Sequence, residues 1–238
     1  MAERDRPLYA VLIDADNIPA KYAGAILKEI TSFGEPALRR VYGDWGSARL
    51  NTWAKAVRDL GLVAHQETAN TVGKNASDIG LVIDAMDILH SGRFDGFVLV
   101  SSDSDFTALA NRVREQGMDV IGIGEAKAPE SLRNVCNRFI LLENLIDEPP
   151  QTDKSQPAPT SGKQDPINAA PLILKAMDKI NADDEWYALG QLGQYIVRDN
   201  PDFDPRTYGR KKLSDLVQDL KRFETKKIGN QLHVRRVD

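Results

Sequence analysis

Short apolar runs alternate with amphipathic stretches along the first part of the chain. The amphipathic stretches that predict helices are Ala20–Phe33, Ala48–Leu60, Ile79–His90 and Phe106–Gln116. The apolar runs that predict strands are Leu8–Ile13, Leu38–Tyr42, Leu62–His65, Phe97–Ser101, Val120–Ile123 and Phe139–Leu142. Strands that alternate with helices are typical of an α/β domain with a mostly parallel sheet.

Three glycines agree with this pattern. Gly34, Gly61 and Gly117 each follow a predicted helix and precede a predicted strand. A helix C-terminus favours a residue that tolerates left-handed backbone angles. We therefore expect all three glycines to be C-terminal caps.

A second pattern begins after a stretch rich in Pro, Ser, Thr, Gln and Lys. Residues 149–166 contain no large apolar side chain and are predicted to be a flexible linker between residues 1–148 and residues 167–238. Beyond it, the sequence predicts three helices and a hairpin that turns at Gly229 and Asn230. Their ranges are Pro171–Ile180, Ala188–Asp199, Leu213–Lys221 and Phe223–Arg236. This order is typical of a small winged helix-turn-helix domain.

The charge is distributed unevenly between the two ends. The 238 residues carry a formal net charge of −4. Residues 1–150 have 16 basic against 22 acidic side chains, a balance of −6, whereas residues 206–238 have 10 against 4, a balance of +6. The basic end favours nucleic acid as its partner, with a protein-docking module as the alternative.

Cysteine and apolar content exclude several classes. The single cysteine, Cys136, excludes an intrachain disulfide and a cysteine-clustered zinc site, and we expect it to be a buried apolar residue. Every apolar run is shorter than the ~18 residues that a membrane span needs. The first residues are too charged for a signal peptide. We therefore expect a cytoplasmic protein that binds no membrane.

Acidic residues follow two of the predicted strands. Asp14 and Asp16 follow the first, Asp103 and Asp105 follow the fourth, and Asp78 opens a helix between them. Ligands of an open parallel sheet bind beyond the carboxyl ends of its strands. Each acid alone is also a favourable helix N-cap. Polar residues at two strand ends nevertheless exceed what capping requires.

Carboxylates that gather at one edge repel one another unless a cation lies between them. Oxygen ligands without His or Cys nearby favour a hard ion, so we expect a Mg²⁺ or Mn²⁺ site. Its predicted metal ligands are Asp14, Asp16, Asp78, Asp103 and Asp105. Such ions activate water and stabilise the leaving oxygen during attack on a phosphodiester.

The helix that contains Asp78 carries two more acids. Asp84 and Asp87 fall about 120° and about 180° around the helix from Asp78. We expect both to be structural or solvated, with Asp84 as a reserve ligand. The apolar residues predicted to face the core are Ile79, Val82, Ile83 and Met86.

Four motifs resemble the NYN domain. They are Leu12-Ile-Asp14-Ala-Asp16-Asn17, Tyr42-Gly-Asp-Trp45, Lys74-Asn-Ala-Ser-Asp78 and Ser101-Ser-Asp103-Ser-Asp105-Phe106, and the resemblance covers about residues 7–147. NYN domains are PIN-like nucleases with a Rossmann-like parallel sheet, so the resemblance implies metal-dependent RNA cleavage at a four-acid site. It implies catalytic, metal-binding roles for Asp14, Asp78, Asp103 and Asp105, with Asp16 beside them as an outer-shell ligand. Asn17 and Ser102 are implied as polar supports that bind substrate.

Residues 168–236 are similar to the OST-HTH domain, also called LOTUS, an RNA-binding or protein-docking module. The similar segments are Leu189-Gly-Gln-Leu-Gly193, Tyr208-Gly-Arg-Lys-Lys-Leu213 and the basic hairpin. This resemblance favours RNA over DNA. The predicted substrate contacts are Arg210, Lys211, Lys212 and, beside the acids, Lys74. The weaker candidates for phosphate contacts are Arg39, Arg40 and Arg49, and the tryptophans Trp45, Trp53 and Trp186 are predicted to be core residues rather than base-stacking ones.

The sequence thus predicts a cytoplasmic, Mg²⁺- or Mn²⁺-dependent RNA endonuclease whose C-terminal domain recruits single-stranded or structured RNA. Two alternatives stay open. A haloacid-dehalogenase-like phosphatase would use Asp14 as nucleophile and Asp16 as general acid. A non-catalytic RNA-binding scaffold would keep the same acids. A protein partner of the C-terminal domain and a homodimer also stay open, and no residue argues for the dimer.

Overall fold

The computed structural model describes residues 5–66, 76–146, 163–180 and 185–237. The chain divides into two compact units, residues 1–147 and 148–238. Most of the predicted linker lies outside the described residues, so the linker remains a prediction. The N-terminal unit contains β1 (Leu8–Asp14), α1 (Ala23–Ile30), β2 (Glu35–Gly43), α2 (Asn51–Leu60), β3 (Val63–Gln66), α3 (Ala76–His90), β4 (Gly96–Val100), α4 (Thr107–Glu115), β5 (Asp119–Gly124), α5 (Glu130–Val135) and β6 (Arg138–Leu141).

The six strands form one parallel sheet in the order β3-β2-β1-β4-β5-β6. The chain builds outward from β1 in one direction and from β4 in the other, so the strand order reverses between these two neighbours. Such a reversal opens a crevice beyond the carboxyl ends of the two strands. The predicted acids that follow β1 and β4 therefore lie at the same crevice.

Side-chain alternation along the strands separates two apolar layers. On one side, Val11 and Ile13 of β1 pack with Ile26 of α1 and Trp53 of α2. On the other side, Leu12 packs with residues of α3, α4 and α5, among them Leu81, Leu109 and Leu132. Because successive strand residues point to opposite faces, the residue after Ile13 points to the side of α3 and α4. That residue is Asp14.

Helix α3 presents a different face to the core from the one predicted. Leu81, Ala85 and Leu89 are buried, whereas Ile79 and Ile83 are 61% and 60% exposed. The prediction that Ile79 and Ile83 face inward is therefore wrong. Apolar residues occur on every side of this helix, so its periodicity does not mark the buried face.

Two of the three predicted glycine caps are confirmed. Gly61 and Gly117 have φ angles of 62° and 75°. Gly34 lies outside the left-handed region, so the prediction is wrong there. A Cβ atom at Gly34 would lie 2.4 Å from the Pro7 carbonyl oxygen and 2.7 Å from the Tyr9 ring. Close packing, rather than backbone conformation, explains this glycine.

The C-terminal unit contains α6 (Ala170–Lys179), β7 (Tyr187–Ala188), α7 (Leu189–Asp199), α8 (Leu213–Asp219), β8 (Phe223–Ile228) and β9 (Gln231–Arg236). The hairpin turns at Gly229 and Asn230 as predicted, and β7 adds a third strand in the order β7-β9-β8. A separate apolar core that includes Ile173, Leu192 and Leu216 holds the unit together. Three helices and a small antiparallel sheet confirm the winged helix-turn-helix architecture. No helix in the described parts of the chain is long and apolar enough to cross a membrane.

Candidate active site

Asp14 lies at the carboxyl end of β1, and its side chain is buried (3% exposed). Its Oδ1 accepts hydrogen bonds from the backbone N–H groups of Asp16 (3.2 Å) and Asn17 (3.3 Å), and its Oδ2 accepts one from the Ser101 hydroxyl (2.9 Å). Burial raises the pKa of Asp14 to about 6, against the opposing effect of the Ser101 hydrogen bond, and the charge of Asp78 adds to the rise. Asp14 thus ties the end of β1 to the end of β4.

Asp103 and Asp105 follow β4 in a short turn that opens α4. The backbone N–H of Asp103 donates to the Ser101 hydroxyl oxygen (3.1 Å), and Asp103 Oδ1 accepts from the N–H of Asp105 (2.9 Å). Asp103 is therefore an N-cap of the turn from Ser104 to Phe106. This cap and the Ser101 hydrogen bonds connect Asp103 to Asp14 through a single hydroxyl group.

Asp78 approaches the same rim from the first turn of α3. Burial raises the pKa of Asp78, and the charges of Asp103, Asp105 and Asp16 raise it further. A carboxylate in the first turn of a helix is ordinarily favoured by the helix dipole. At Asp78, burial and the neighbouring carboxylates act in the opposite direction to this effect of the dipole. The structure therefore brings all five predicted acids into one electrostatic cluster.

The oxygen ligands of the cluster suit a hard divalent cation, although they do not form a complete coordination shell. Within the described ranges, no three His, Cys, Asp or Glu side chains are arranged to hold a metal ion. Mg²⁺ keeps several water ligands and is commonly bound through only one or two carboxylates together with substrate phosphate. Mutual repulsion at Asp78 is also what a bound cation relieves.

Comparison with known families gives the identity of both units. The family model of the NYN domain matches residues 9–143, more than half of the chain. The chain belongs to the NYN domain family. The family model of the OST-HTH/LOTUS domain matches residues 169–234. The chain therefore joins a nuclease-type NYN domain to a domain of the RNA-binding class.

Solved structures support the fold alone. A protein of unknown function from Vibrio parahaemolyticus is 19% identical, with a TM-score of 0.50 over 58% of this chain and 94% of that chain. MurG from Acinetobacter baumannii is 10% identical, with a TM-score of 0.39 over 83% of this chain and 65% of that chain. The second similarity is too low to carry an argument. No curated protein sequence gives a significant match.

Two predicted substrate-binding residues of the NYN domain link the strand ends. Asn17 Oδ1 accepts a hydrogen bond from the backbone N–H of Ser102 (3.2 Å). The Ser102 hydroxyl, which is buried, accepts one from the N–H of Glu125 after β5 (2.8 Å). Both side chains therefore bridge neighbouring loops of the crevice. Lys74, the other predicted contact of the NYN domain, lies outside the described residues.

Asp84 belongs to a separate polar group. Its carboxylate pairs with the Arg40 guanidinium and accepts a hydrogen bond from the Tyr42 hydroxyl, both on β2. Burial raises the pKa of Tyr42 above its usual value, and the Asp84 carboxylate adds to the shift. The Tyr42 hydroxyl therefore stays protonated and holds α3 against the sheet.

Asp16 forms an ion pair with Arg49, which the sequence analysis names only as a weaker candidate for a phosphate contact. Arg49 Nη2 lies 2.6 Å from Asp16 Oδ1. The two residues are 33 positions apart and follow different strands. Residues so far apart in sequence leave no periodic pattern, so the sequence named Arg49 only as one of several candidate phosphate contacts and could not predict its pairing with Asp16.

The tryptophans are placed in three different ways. Trp53 is buried and donates to the Ile18 carbonyl (2.7 Å), and half-buried Trp45 donates to the His65 carbonyl (2.8 Å). In the OST-HTH domain, the Trp186 ring contacts Lys226, whose Nζ is 3.9 Å from the ring centroid, and Arg235. Trp45 and Trp53 therefore support the NYN fold rather than offering free faces for base stacking.

The three predicted RNA contacts of the OST-HTH domain differ in their pairing. The Arg210 guanidinium is bound by the Asp219 carboxylate. Lys211 and Lys212 are exposed, and neither takes part in an ion pair within the described residues. The two lysines therefore present more accessible charge than Arg210.

Proposed function

We propose that the chain is a divalent-metal-dependent ribonuclease that hydrolyses RNA phosphodiesters endonucleolytically at the rim of the NYN domain. The observation that carries this proposal is that Ser101 binds both the Asp14 carboxylate and the backbone N–H of Asp103, which brings the acids after β1 and β4 together. Burial raises the pKa of Asp78, and the charges of Asp103 and Asp105 add to the rise, which agrees with this gathering. Like charges that face a phosphate would only weaken binding in a pure RNA scaffold. They suit a site that binds a cation.

Asp14, Asp78, Asp103 and Asp105 would hold Mg²⁺ or Mn²⁺. When bound, the ion supplies activation of water and charge stabilisation at the leaving oxygen. The chain itself arranges the carboxylates: Ser101 binds both Asp14 and the backbone of Asp103, so the ends of β1 and β4 keep a fixed spacing. Asn17 and Ser102 support that junction through hydrogen bonds between the loops after β1, β4 and β5.

The phosphatase alternative fits the site less well than the nuclease. In the phosphatase, Asp16 would be the general acid. The Asp16 carboxylate is instead engaged by the Arg49 guanidinium, with Nη2 at 2.6 Å from Oδ1. Membership in the NYN family supports the same preference.

The test is cleavage of a labelled circular RNA by the full chain in the presence of Mn²⁺, Mg²⁺ or EDTA. An endonuclease linearises the circle, whereas an exonuclease leaves it intact. We expect cleavage with either ion, none with EDTA, and a loss of at least about 100-fold for Asp103→Asn, because even outer-shell partners of a metal contribute about 10- to 100-fold.

The matched control is Asp87→Asn, which removes an exposed acid from α3, outside the cluster. It should cleave like the wild type. Cleavage that survives both EDTA and Asp103→Asn would contradict the metal site. RNA binding by a wild type that cleaves neither circular nor linear RNA would instead favour the scaffold.

A further inference from the structure

The loop between β2 and α2, residues 44–50, is fastened to the NYN domain at several points. Asp44 Oδ1 accepts hydrogen bonds from the N–H of Gly46 (3.1 Å) and from the Gln66 side chain of β3 (3.0 Å). The Trp45 indole is bound to β3, and Leu50 is buried. The fold therefore determines where Arg49 lies.

Gly43 lets this loop approach the loop after β1. A Cβ atom at Gly43 would lie 2.6 Å from Leu50 Cδ1, 3.4 Å from Ala15 Cβ and 3.7 Å from Asp16 Oδ2. The absence of a side chain at Gly43 thus leaves room for the two loops to pack. Across this contact, the Arg49 guanidinium reaches Asp16 at 2.6 Å.

The ion pair contributes little to stability, because it is exposed. The Arg49 side chain is 71% and the Asp16 side chain 28% accessible. Exposed pairs of this kind stabilise a fold by only ~0–1 kcal/mol. The position of the Arg49–Asp16 pair says more about function than its stability does. The charge of Asp16 adds to the raised pKa of Asp78, so the pair lies on the same rim as the proposed catalytic acids.

The remaining donors of Arg49 suit a phosphate. A guanidinium carries five N–H donors in a planar fork that matches phosphate oxygens. In its hydrogen bond to Asp16, Arg49 uses Nη2 alone. Its guanidinium makes no other side-chain hydrogen bond within the described part of the chain. RNA that approaches a rim of carboxylates needs compensating positive charge beside the metal. Arg49 supplies such a charge at the edge of the crevice.

We propose that Arg49 contacts a phosphate next to the scissile one and that Asp16 is a positioning residue that holds the guanidinium over the rim. The inference rests on the proposed ribonuclease function. It removes Asp16 from the set of metal ligands that the sequence predicts. Asp16 then acts through Arg49, whereas Asp14, Asp78, Asp103 and Asp105 act through the cation.

The experiment measures kcat and KM for a short linear RNA, and Mn²⁺ affinity by calorimetry, in the full chain. Arg49→Ala should raise KM about 10-fold, the effect of one hydrogen bond to a charged group, and leave kcat within about 3-fold. Arg49→Lys should recover part of the loss. Asp16→Asn should raise KM less, leave Mn²⁺ affinity unchanged, and add nothing to Arg49→Ala in the double variant.

The matched control is Arg112→Ala, which removes another exposed arginine that pairs with an acid, Glu115, on α4. It should leave kcat and KM unchanged. Unchanged KM in Arg49→Ala, or a weaker Mn²⁺ affinity in Asp16→Asn, would overturn the inference while the nuclease stands.

An RNA-binding measurement tests the Arg49 contact independently of the proposed nuclease activity. If the wild type does not cleave RNA, fluorescence anisotropy with single-stranded RNA still tests the contact. Arg49→Ala should reduce the slope of log K against log salt by about 0.7, the value for one phosphate contact on a single strand. An unchanged slope, or a wild type that binds no RNA, would overturn the contact.

Discussion

Asp14 shows how one side chain combines a structural and a chemical role. Three donors from the protein hold its oxygens, and burial raises its pKa to about 6. Above that pH the carboxylate is ionised in a poorly solvated place, which lowers stability. The fold tolerates this cost at the carboxyl end of β1, where the proposed ribonuclease would use the charge to bind a cation.

Asp14, Asp16, Asp103 and Asp105 could be predicted because they follow apolar strand runs, and Asp78 because it lies where a helix begins. The pairing of Asp16 with Arg49 could not, because it depends on how two loops pack across the sheet edge. Helix geometry predicts only that Asp84 and Asp87 lie away from the face of Asp78. In the structure Asp84 pairs with Arg40 on β2 and Asp87 is exposed.

The repulsion at Asp78 gives a prediction about stability without metal. The raised pKa of Asp78 means that the folded chain binds this proton more tightly than the unfolded chain. Stability from this group is therefore present below the unfolded pKa and is lost as pH rises through the folded pKa. In EDTA at pH 7.5, Asp78→Asn should raise Tm by a few degrees, about 2–4 °C per kcal/mol of relieved repulsion.

Thermal unfolding with and without Mn²⁺ completes this measurement. The gain from Asp78→Asn should shrink towards pH 4, and Mn²⁺ should raise the Tm of the wild type more than that of the variant. Asp87→Asn is the control on the same helix and should follow the wild type throughout. A lower Tm for Asp78→Asn in EDTA would show that the helix dipole outweighs the repulsion.

At the scale of elements, the strands and most helices could be predicted, whereas α5 and β7 were missed. Helix α5 has six residues and β7 has two, too few to show a period. The buried face of α3 was predicted wrongly because apolar residues surround that helix. Gly34 was assigned to a cap because sequence shows that a glycine follows a helix, not that a neighbouring strand approaches it closely.

Close packing between the ends of β4 and β5 supports the rim at Gly124. A Cβ atom at Gly124 would lie 2.6 Å from the Ser101 carbonyl oxygen and 3.1 Å from the Ser102 hydroxyl. Gly124→Ala should therefore displace the end of β4, cost about 1–3 kcal/mol in urea unfolding, and lower kcat at least about 10-fold.

The control for this junction is Gly24→Ala in α1, where no atom lies within 4 Å of the added Cβ. That change should raise stability by about 0.5–1 kcal/mol, since alanine favours a helix more than glycine does. Equal stability and activity in the two variants would mean that the end of β4 moves aside without harm to the rim.

At the scale of the whole molecule, the two units have separate cores, and the basic charge is concentrated at the C-terminal end of the second unit. Residues 1–150 have a balance of −6 and residues 206–238 a balance of +6. The acidic charge of residues 1–150 repels RNA, whereas the basic charge of residues 206–238 attracts it. If both domains contact one RNA, as the proposed function requires, the second contact is intramolecular and raises the effective RNA concentration at the rim.

Deletion of residues 167–238 tests this division of labour. The truncated chain keeps the rim and both apolar layers of the NYN domain, so kcat should stay within about 3-fold. KM should rise by about 10- to 100-fold, because capture would depend on the rim alone. In the full chain, the double change Lys211→Gln and Lys212→Gln should raise KM in the same direction by less. Steady-state kinetics at several salt concentrations separates loss of the two lysine charges from loss of the whole domain, because contacts with phosphates weaken as salt rises. An unchanged KM after truncation would contradict RNA capture by the OST-HTH domain and favour a protein partner instead.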